Sequence, residues 1–130
     1  MADTLDGMLM PNLTVTDMAK SRRFYTEGLG FEEIYKSEKD DGSIQYVVLK
    51  AGNAMLGIGQ DDFKKGRDRH KGQGLRIWIS TTQDVSAVAA RAKASGIALD
   101  SEPEKLEWGP VAFALTDPDG FKLTISEPMM

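Results

Sequence analysis

Few side chains in this 130-residue sequence could do covalent or acid–base chemistry. Cysteine is absent, which removes disulfides, thiolate metal sites and thiol nucleophiles together. The one histidine, His70, lies between Arg69 and Lys71 in a charged stretch with no nucleophile beside it, so a catalytic triad has no base to organise around. Gly66, Gly72 and Gly74 resemble a phosphate-cradling loop only superficially, because the strand–loop–helix setting and the Gly-Lys-Ser/Thr ending are missing. What is left suits binding. Arg76 and Trp78 alternate with Ile77 and Ile79, and Lys122 and Thr124 alternate with Leu123 and Ile125, so each set shares one face of its strand. A guanidinium and an ammonium beside an indole suit a planar or apolar molecule bearing a carboxylate, phenolate or carbonyl oxygen.

The elements that must position these groups occur twice. From Met8 to Val15 apolar and polar residues alternate as in a strand; Thr16 and Asp17 can cap a helix running through Glu27 and ended by Gly28 or Gly30. Phe31 to about Glu38, Ile44 to Ala51 and Ala54 to Gln60 read as three more strands, the first two joined by a turn at Lys39-Asp40-Asp41-Gly42. Residues 61 to 73 read as a solvated connector. The order then restarts: a strand through Leu75, Ile77 and Ile79, an alanine-rich helix from Asp84 to Ser95 stopped by Gly96, a strand from Ile97 to about Glu102, a loop to Pro110, a strand from Val111 to Thr116, and a last strand after the turn Asp117-Pro118-Asp119-Gly120. Gly30-Phe31 matches Gly96-Ile97 at an offset of 66, and Leu56-Gly57-Ile58 matches Leu123-Thr124-Ile125 at 67. The expected architecture is one α+β domain over 1–130, with a βαβββ module at about 8–60 and another at about 74–127.

Bulk properties exclude several partners. With 41% hydrophobic residues the chain can bury a single core without staples. No apolar run approaches the ~20 residues of a membrane span, and the opening Met-Ala-Asp-Thr-Leu-Asp lacks the order of a secretion signal, so a cytoplasmic protein that does not engage membranes is expected. A net charge of −4, with basic residues scattered outside Lys64 to Lys71, argues against nucleic acid and for a small molecule as partner.

Asn12-Leu13-Thr14-Val15-Thr16-Asp17, Ser21-Arg22-Arg23-Phe24-Tyr25, Leu29-Gly30-Phe31 and Thr116-Asp117-Pro118-Asp119-Gly120-Phe121-Lys122-Leu123 together resemble the vicinal oxygen chelate superfamily, the glyoxalase, bleomycin-resistance and extradiol-dioxygenase group. The resemblance spans the chain. It implies that each module curls its sheet around a cup, with the helices on the convex side. Leu9, Leu13, Val15, Leu56, Ile58, Leu75, Ile77, Ile79, Leu123 and Ile125 would then lie under the helices. Met8, Met10, Asn12, Thr14, Met55, Gly57, Arg76, Trp78, Ser80, Lys122, Thr124 and Ser126 would face the cup.

Metal-dependent relatives hold a divalent ion with His, Glu or Gln from the first and last strand of each module. The matching positions are Met10, Gly57, Arg76 and Thr124, and the offsets of the internal repeat pair the same four. A thioether, a glycine, a guanidinium and one hydroxyl do not meet the preferences of Zn, Mg, Fe or Ni, so no metal and no other cofactor is expected. The resemblance therefore implies a binding protein, a homodimer as in the bleomycin-binding branch, with Met10, Asn12, Met55, Arg76, Trp78, Trp108, Lys122 and Thr124 contacting a ligand. Trp108 would act as a lid or stacking surface, or else merely anchor its loop. Arg76 and Lys122 either meet an anion, internal through Glu107 or Glu127 or on the ligand, or snorkel to the rim. The alternative is a lyase, isomerase or dioxygenase-type enzyme, with a displaced metal site built from Gln60, Glu127 or His70, or with metal-free acid–base chemistry.

Overall fold

The computed structural model describes residues 4–128. The elements follow in the order β1 (Asn12–Val15), α1 (Met18–Arg23), a π-helical turn (Phe24–Gly28), β2 (Glu32–Glu38), β3 (Ile44–Ala51) and β4 (Ala54–Gln60), then β5 (Arg76–Ser80), α2 (Val85–Ala94), β6 (Ser101–Lys105), β7 (Val111–Thr116) and β8 (Lys122–Ser126). Two four-stranded sheets result, ordered β1-β4-β3-β2 and β5-β8-β7-β6. In each the first and last strands pair in parallel and the other neighbours are antiparallel. The repeat holds residue by residue: Asn12 faces Gly57 and Leu13 faces Ile58 in the first sheet, as Trp78 faces Thr124 and Ile79 faces Ile125 in the second.

Both helices start on aspartates whose carboxylates accept from the first turn, Asp17 from the Lys20 amide and Asp84 from the Ser86 amide. Their apolar sides and the aliphatic faces of both sheets form one core, in which Leu13, Val15, Leu49, Leu56 and Ile58 of module one join Phe113, Leu115, Leu123 and Ile125 of module two. Fully burying each such side chain contributes about 1.5–3 kcal/mol. Tyr25 sits edge-on to Phe31 at 5.7 Å between ring centroids, and its hydroxyl donates to Asp117 Oδ2 at 2.8 Å, tying the helical segment of one module to the Asp-Pro-Asp-Gly turn of the other. Asp117 Oδ1 accepts from the Asp119 and Phe121 amides and so shapes that turn. Burial raises the Asp117 carboxyl above its usual range and, with the nearby carboxylates, holds the Tyr25 hydroxyl protonated.

The structure corrects several expected boundaries. The strand expected from Met8 begins at Asn12. The Pro11 carbonyl accepts from Gly57, but proline has no amide to extend the ladder, and Leu9 is 84% exposed rather than under the helix. Leu75, closed in a turn through its amide to the Gly72 carbonyl, is likewise exposed. The helix expected through Glu27 changes at Phe24 into the π-helical turn. The strand expected from Ile97 lies later, at Ser101–Lys105, and includes Pro103; it is the outer strand of its sheet, where a missing amide breaks no ladder, and its pairing shifts between Ser101 and Glu104.

The connector is not simply solvated. The Lys71 ammonium, with its side chain 7% exposed, lies 3.0 Å from Asp61 and 3.7 Å from Asp119 and donates to Thr16 Oγ1 at 2.8 Å. Asp119 also accepts from the Thr16 amide. The connector thus returns to the junction of the modules and is pinned there, while His70 is exposed. Among the described residues no helix is long and apolar enough to cross a membrane.

Candidate functional site

Because side chains alternate along a strand, the face of each sheet turned away from the core carries the polar and aromatic residues. On the second sheet Trp78 is held flat by its indole N–H, which donates to Ser126 Oγ at 2.8 Å, and Ser126 in turn donates to the Glu127 carbonyl. Trp108, from the β6–β7 loop, lies against Trp78 with centroids 5.7 Å apart and planes tilted by 37°. Arg76 donates through Nη1 to Thr124 Oγ1 at 3.1 Å. Arg76, Trp78, Trp108 and Thr124, with Leu106 and Ala114, line a cavity of about 340 Å³ that Glu104 also borders. A cleft of about 280 Å³ adjoins it, in which Met55, Leu9 and Leu75 meet Arg76 and Trp78.

The expected ligand-contacting residues are only partly gathered. Arg76, Trp78, Trp108 and Thr124 share the first cavity, and Met55 joins Arg76 and Trp78 in the second. Lys122 is the strand partner of Arg76 and sits with it on a shallow rim beside Gly72 and Gly74. Met10 and Asn12 line neither cavity. Instead the Asn12 amide donates to the Met10 carbonyl at 3.2 Å, and Asn12 Oδ1 accepts from the Tyr46 hydroxyl. Among the described residues no carboxylate pairs with Arg76 or Lys122. Glu127, one expected internal partner, accepts from the Val111 amide instead.

The positions that would hold a divalent ion do not fit one. A Cβ at Gly57 would lie 2.0 Å from the Tyr46 oxygen and 2.3 Å from Asn12 Oδ1, so the space of a ligand from that strand is filled. Across the repeat, Thr124 is occupied by Arg76, and a cation there would face a guanidinium. The displaced set is not assembled either. Gln60 is spent on the Met18 amide and on the carbonyls of Val15, Thr16 and Asp61, and no group of three His, Asp or Glu side chains among the described residues could hold a metal.

Sequence reasoning missed Tyr46 and Leu106. The sign of Tyr46 was the Gly57-Ile58-Gly59 pattern: Tyr46 pairs with Gly59 across β3 and β4, where two glycines leave an opening that an aromatic side chain covers. Leu106 follows the shifted strand β6 and had no comparable signal.

The family model described as Glyoxalase/Bleomycin resistance protein/Dioxygenase superfamily matches residues 7–125. No curated protein matches the chain. Among solved structures, TioX from Micromonospora sp. ML1 superposes with a TM-score of 0.76 at 15% identity, over 94% of this chain and 98% of that one. TnmS3, an antibiotic-binding protein from Streptomyces sp. CB03234, gives 0.72 at 24% over 95% and 97%, and a glyoxalase-related enzyme from Fulvimarina pelagi gives 0.72 at 17% over 95% and 89%. At these identities the likeness is one of fold.

Proposed function

The chain belongs to the glyoxalase/bleomycin resistance protein/dioxygenase superfamily, and from that premise we propose that it is a binding member that takes a planar, oxygen-bearing anion without a metal. The observation that carries this reading is Arg76: a guanidinium without a carboxylate partner among the described residues, tethered to Thr124 at the floor of a cavity walled by Trp78 and Trp108. The indoles present flat faces, and the guanidinium presents a fork that matches a carboxylate or phenolate oxygen. Lys122 adds a second positive charge at the rim. An antibiotic-binding protein among the similar structures is consistent with such a role.

The reading includes a homodimer. Leu9 is 84% exposed, Trp108 58% and Leu75 47%, and Leu9 and Leu75 sit together at the cleft beside Trp78. A second copy laid over this face would bury them and close the half-open cavity. The test is a fluorescence titration with benzoate and larger aromatic acids. Binding should quench tryptophan emission saturably and weaken at least about tenfold in Arg76→Ala, as loss of one charge-assisted hydrogen bond predicts. Unchanged affinity in that variant would sink the assignment, as would stoichiometric Ni, Zn, Fe or Mn retained by the purified protein and needed for binding.

A further inference from the structure

Another cavity, of about 530 Å³, opens between the modules at the end of β5. Trp78 lines the cavity around Arg76, which Ile79 does not reach; Ile79 lines this one and also borders the cleft of about 280 Å³, so the two sites approach each other only at the end of β5. Module one contributes Leu29, Gly30 and Phe31 after the π-helical turn, and Ala51 and Gly52 from the β3–β4 turn. Module two contributes the end of β5, the loop Thr81-Thr82-Gln83, and Val88 and Arg91 of α2. The volume falls within the ~300–1,000 Å³ usual for small-molecule sites.

Its chemistry is asymmetric. Leu29, Phe31, Ile79, Val88 and Ile125 form apolar walls, and the one charged side chain among the described residues of the lining is the Arg91 guanidinium, with the Ser80 and Thr82 hydroxyls able to donate beside it. Arg91 is fixed by Nε to the Glu27 carbonyl at 3.1 Å and by Nη2 to the Thr26 carbonyl at 3.3 Å, which leaves Nη1 with no acceptor among the described residues. No carboxylate pairs with it among those residues. Gly30, at φ +80, makes room for this guanidinium, since a Cβ there would lie 3.3 Å from Nη1. In the facing loop the Gln83 backbone amide donates to Thr81 Oγ1 and Thr81 Oγ1 donates to the Gln83 side-chain Oε1, so the Gln83 side-chain NH₂ and the Thr82 hydroxyl are left to face a ligand. An anchored guanidinium costs little further ordering when it meets an anion.

We propose that this intermodular cavity is a second binding site, for a small monocarboxylate with a compact apolar body, its carboxylate on Arg91 Nη1 and the Thr82–Gln83 loop and its body against Phe31, Ile79 and Val88. Neither Arg76 nor the tryptophan pair lines this site. The test is a titration of the full chain with hexanoate and benzoate, and with hexylamine as the charge-reversed control, followed by amide chemical shifts. The carboxylates should shift Gly30, Gly52 and Thr81 to Gln83 saturably at millimolar concentration, and hexylamine should not. Gln83→Glu, on an exposed loop, should weaken carboxylate binding at least about tenfold by placing an anion among the donors, and Val88→Trp should abolish it by filling the cavity. Arg91→Gln should act like Gln83→Glu, and Arg76→Ala should leave these shifts unchanged. Equal affinity in Gln83→Glu, equal shifts with hexylamine, or shifts confined to the Trp78 face would each overturn the proposal.

Discussion

The Tyr46 hydroxyl donates to Asn12 Oδ1 in the space that a side chain at position 57 would occupy. Tyr46 of β3 thus helps close over the Asn12–Gly57 pair of β1 and β4, whereas the corresponding pair of module two, Trp78 and Thr124, lines a cavity. Gly57→Ala forces a Cβ to within 2.0 Å of that oxygen. Because the atoms it meets are the ends of side chains, the ring can swing away, and a loss of about 1 kcal/mol is expected in urea unfolding. Tyr46→Ala made together with Gly57→Ala should cost less than the two single losses summed. Additive losses would show that the two positions do not compete for one space.

Tyr25 supplies the one hydroxyl donor to a buried carboxylate, so Tyr25→Phe leaves Asp117 Oδ2 without it. At neutral pH the variant should lose about 1–3 kcal/mol of stability. Burial raises the folded pKa of Asp117, so the stability tied to its protonation is full below the usual 3.8 and is lost as pH rises through the folded value. Removing the donor, which favours the carboxylate, raises that value further. The penalty of Tyr25→Phe should therefore shrink at acid pH, where Asp117 is protonated in folded and unfolded chains alike. Chemical unfolding at neutral and acid pH checks this, and an equal penalty at both would refute it.

The sequence made the repeat legible because alternation and turn chemistry are local. The bounds of β3, β4 and β7 follow from Gly52-Asn53, from Asp117-Pro118-Asp119-Gly120 and from unbroken runs of apolar residues between them. It was less legible where tertiary contacts decide. Leu9 and Leu75 continue an alternating pattern that reads as core, but each lies just outside the ladder and stays exposed. Lys71 reads as one more charge in a basic run and is instead buried between Asp61 and Asp119, residues 10 and 48 positions away that only the fold brings together. The cavity around Arg76 was half legible for the same reason: strand alternation placed Arg76, Trp78 and Thr124 on one face, whereas the Tyr46–Asn12 hydrogen bond joins strands 34 residues apart, and only the paired glycines of β4 hinted at it.

The Lys71 cluster makes acid stability depend on Asp61. The Phe63 amide, and then Lys71, hold the Asp61 carboxyl down to about 2. A lowered carboxylate pKa contributes stability that is present above the unfolded value of 3.8 and is lost as pH falls through about 2. Asp61→Asn should be less stable than the parent at neutral pH, and the two unfolding free energies should converge between those two values. A gap that persists at the lower pH would mean that the asparagine disturbs packing rather than charge.

Trp78 is pinned from behind by Ser126 and covered in front by Trp108, so its role in the cavity can be separated from its role in the sheet. Trp108→Ala removes a loop side chain that is 58% exposed and should leave thermal stability nearly unchanged, as for exposed positions generally. It should nevertheless weaken binding of aromatic acids, by the ~0.5–1.5 kcal/mol that one aromatic contact contributes, or roughly two- to tenfold. Ser126→Ala should behave in the opposite way. It leaves the Trp78 indole N–H, in a part-buried contact, without its partner and should cost about 0.5–1.5 kcal/mol of stability while leaving Arg76 tethered to Thr124. Measuring melting temperature and benzoate affinity on both variants separates the two roles. If Trp108→Ala destabilised the fold as much as Ser126→Ala, Trp108 would be an anchor of its loop and not a wall of the binding cavity.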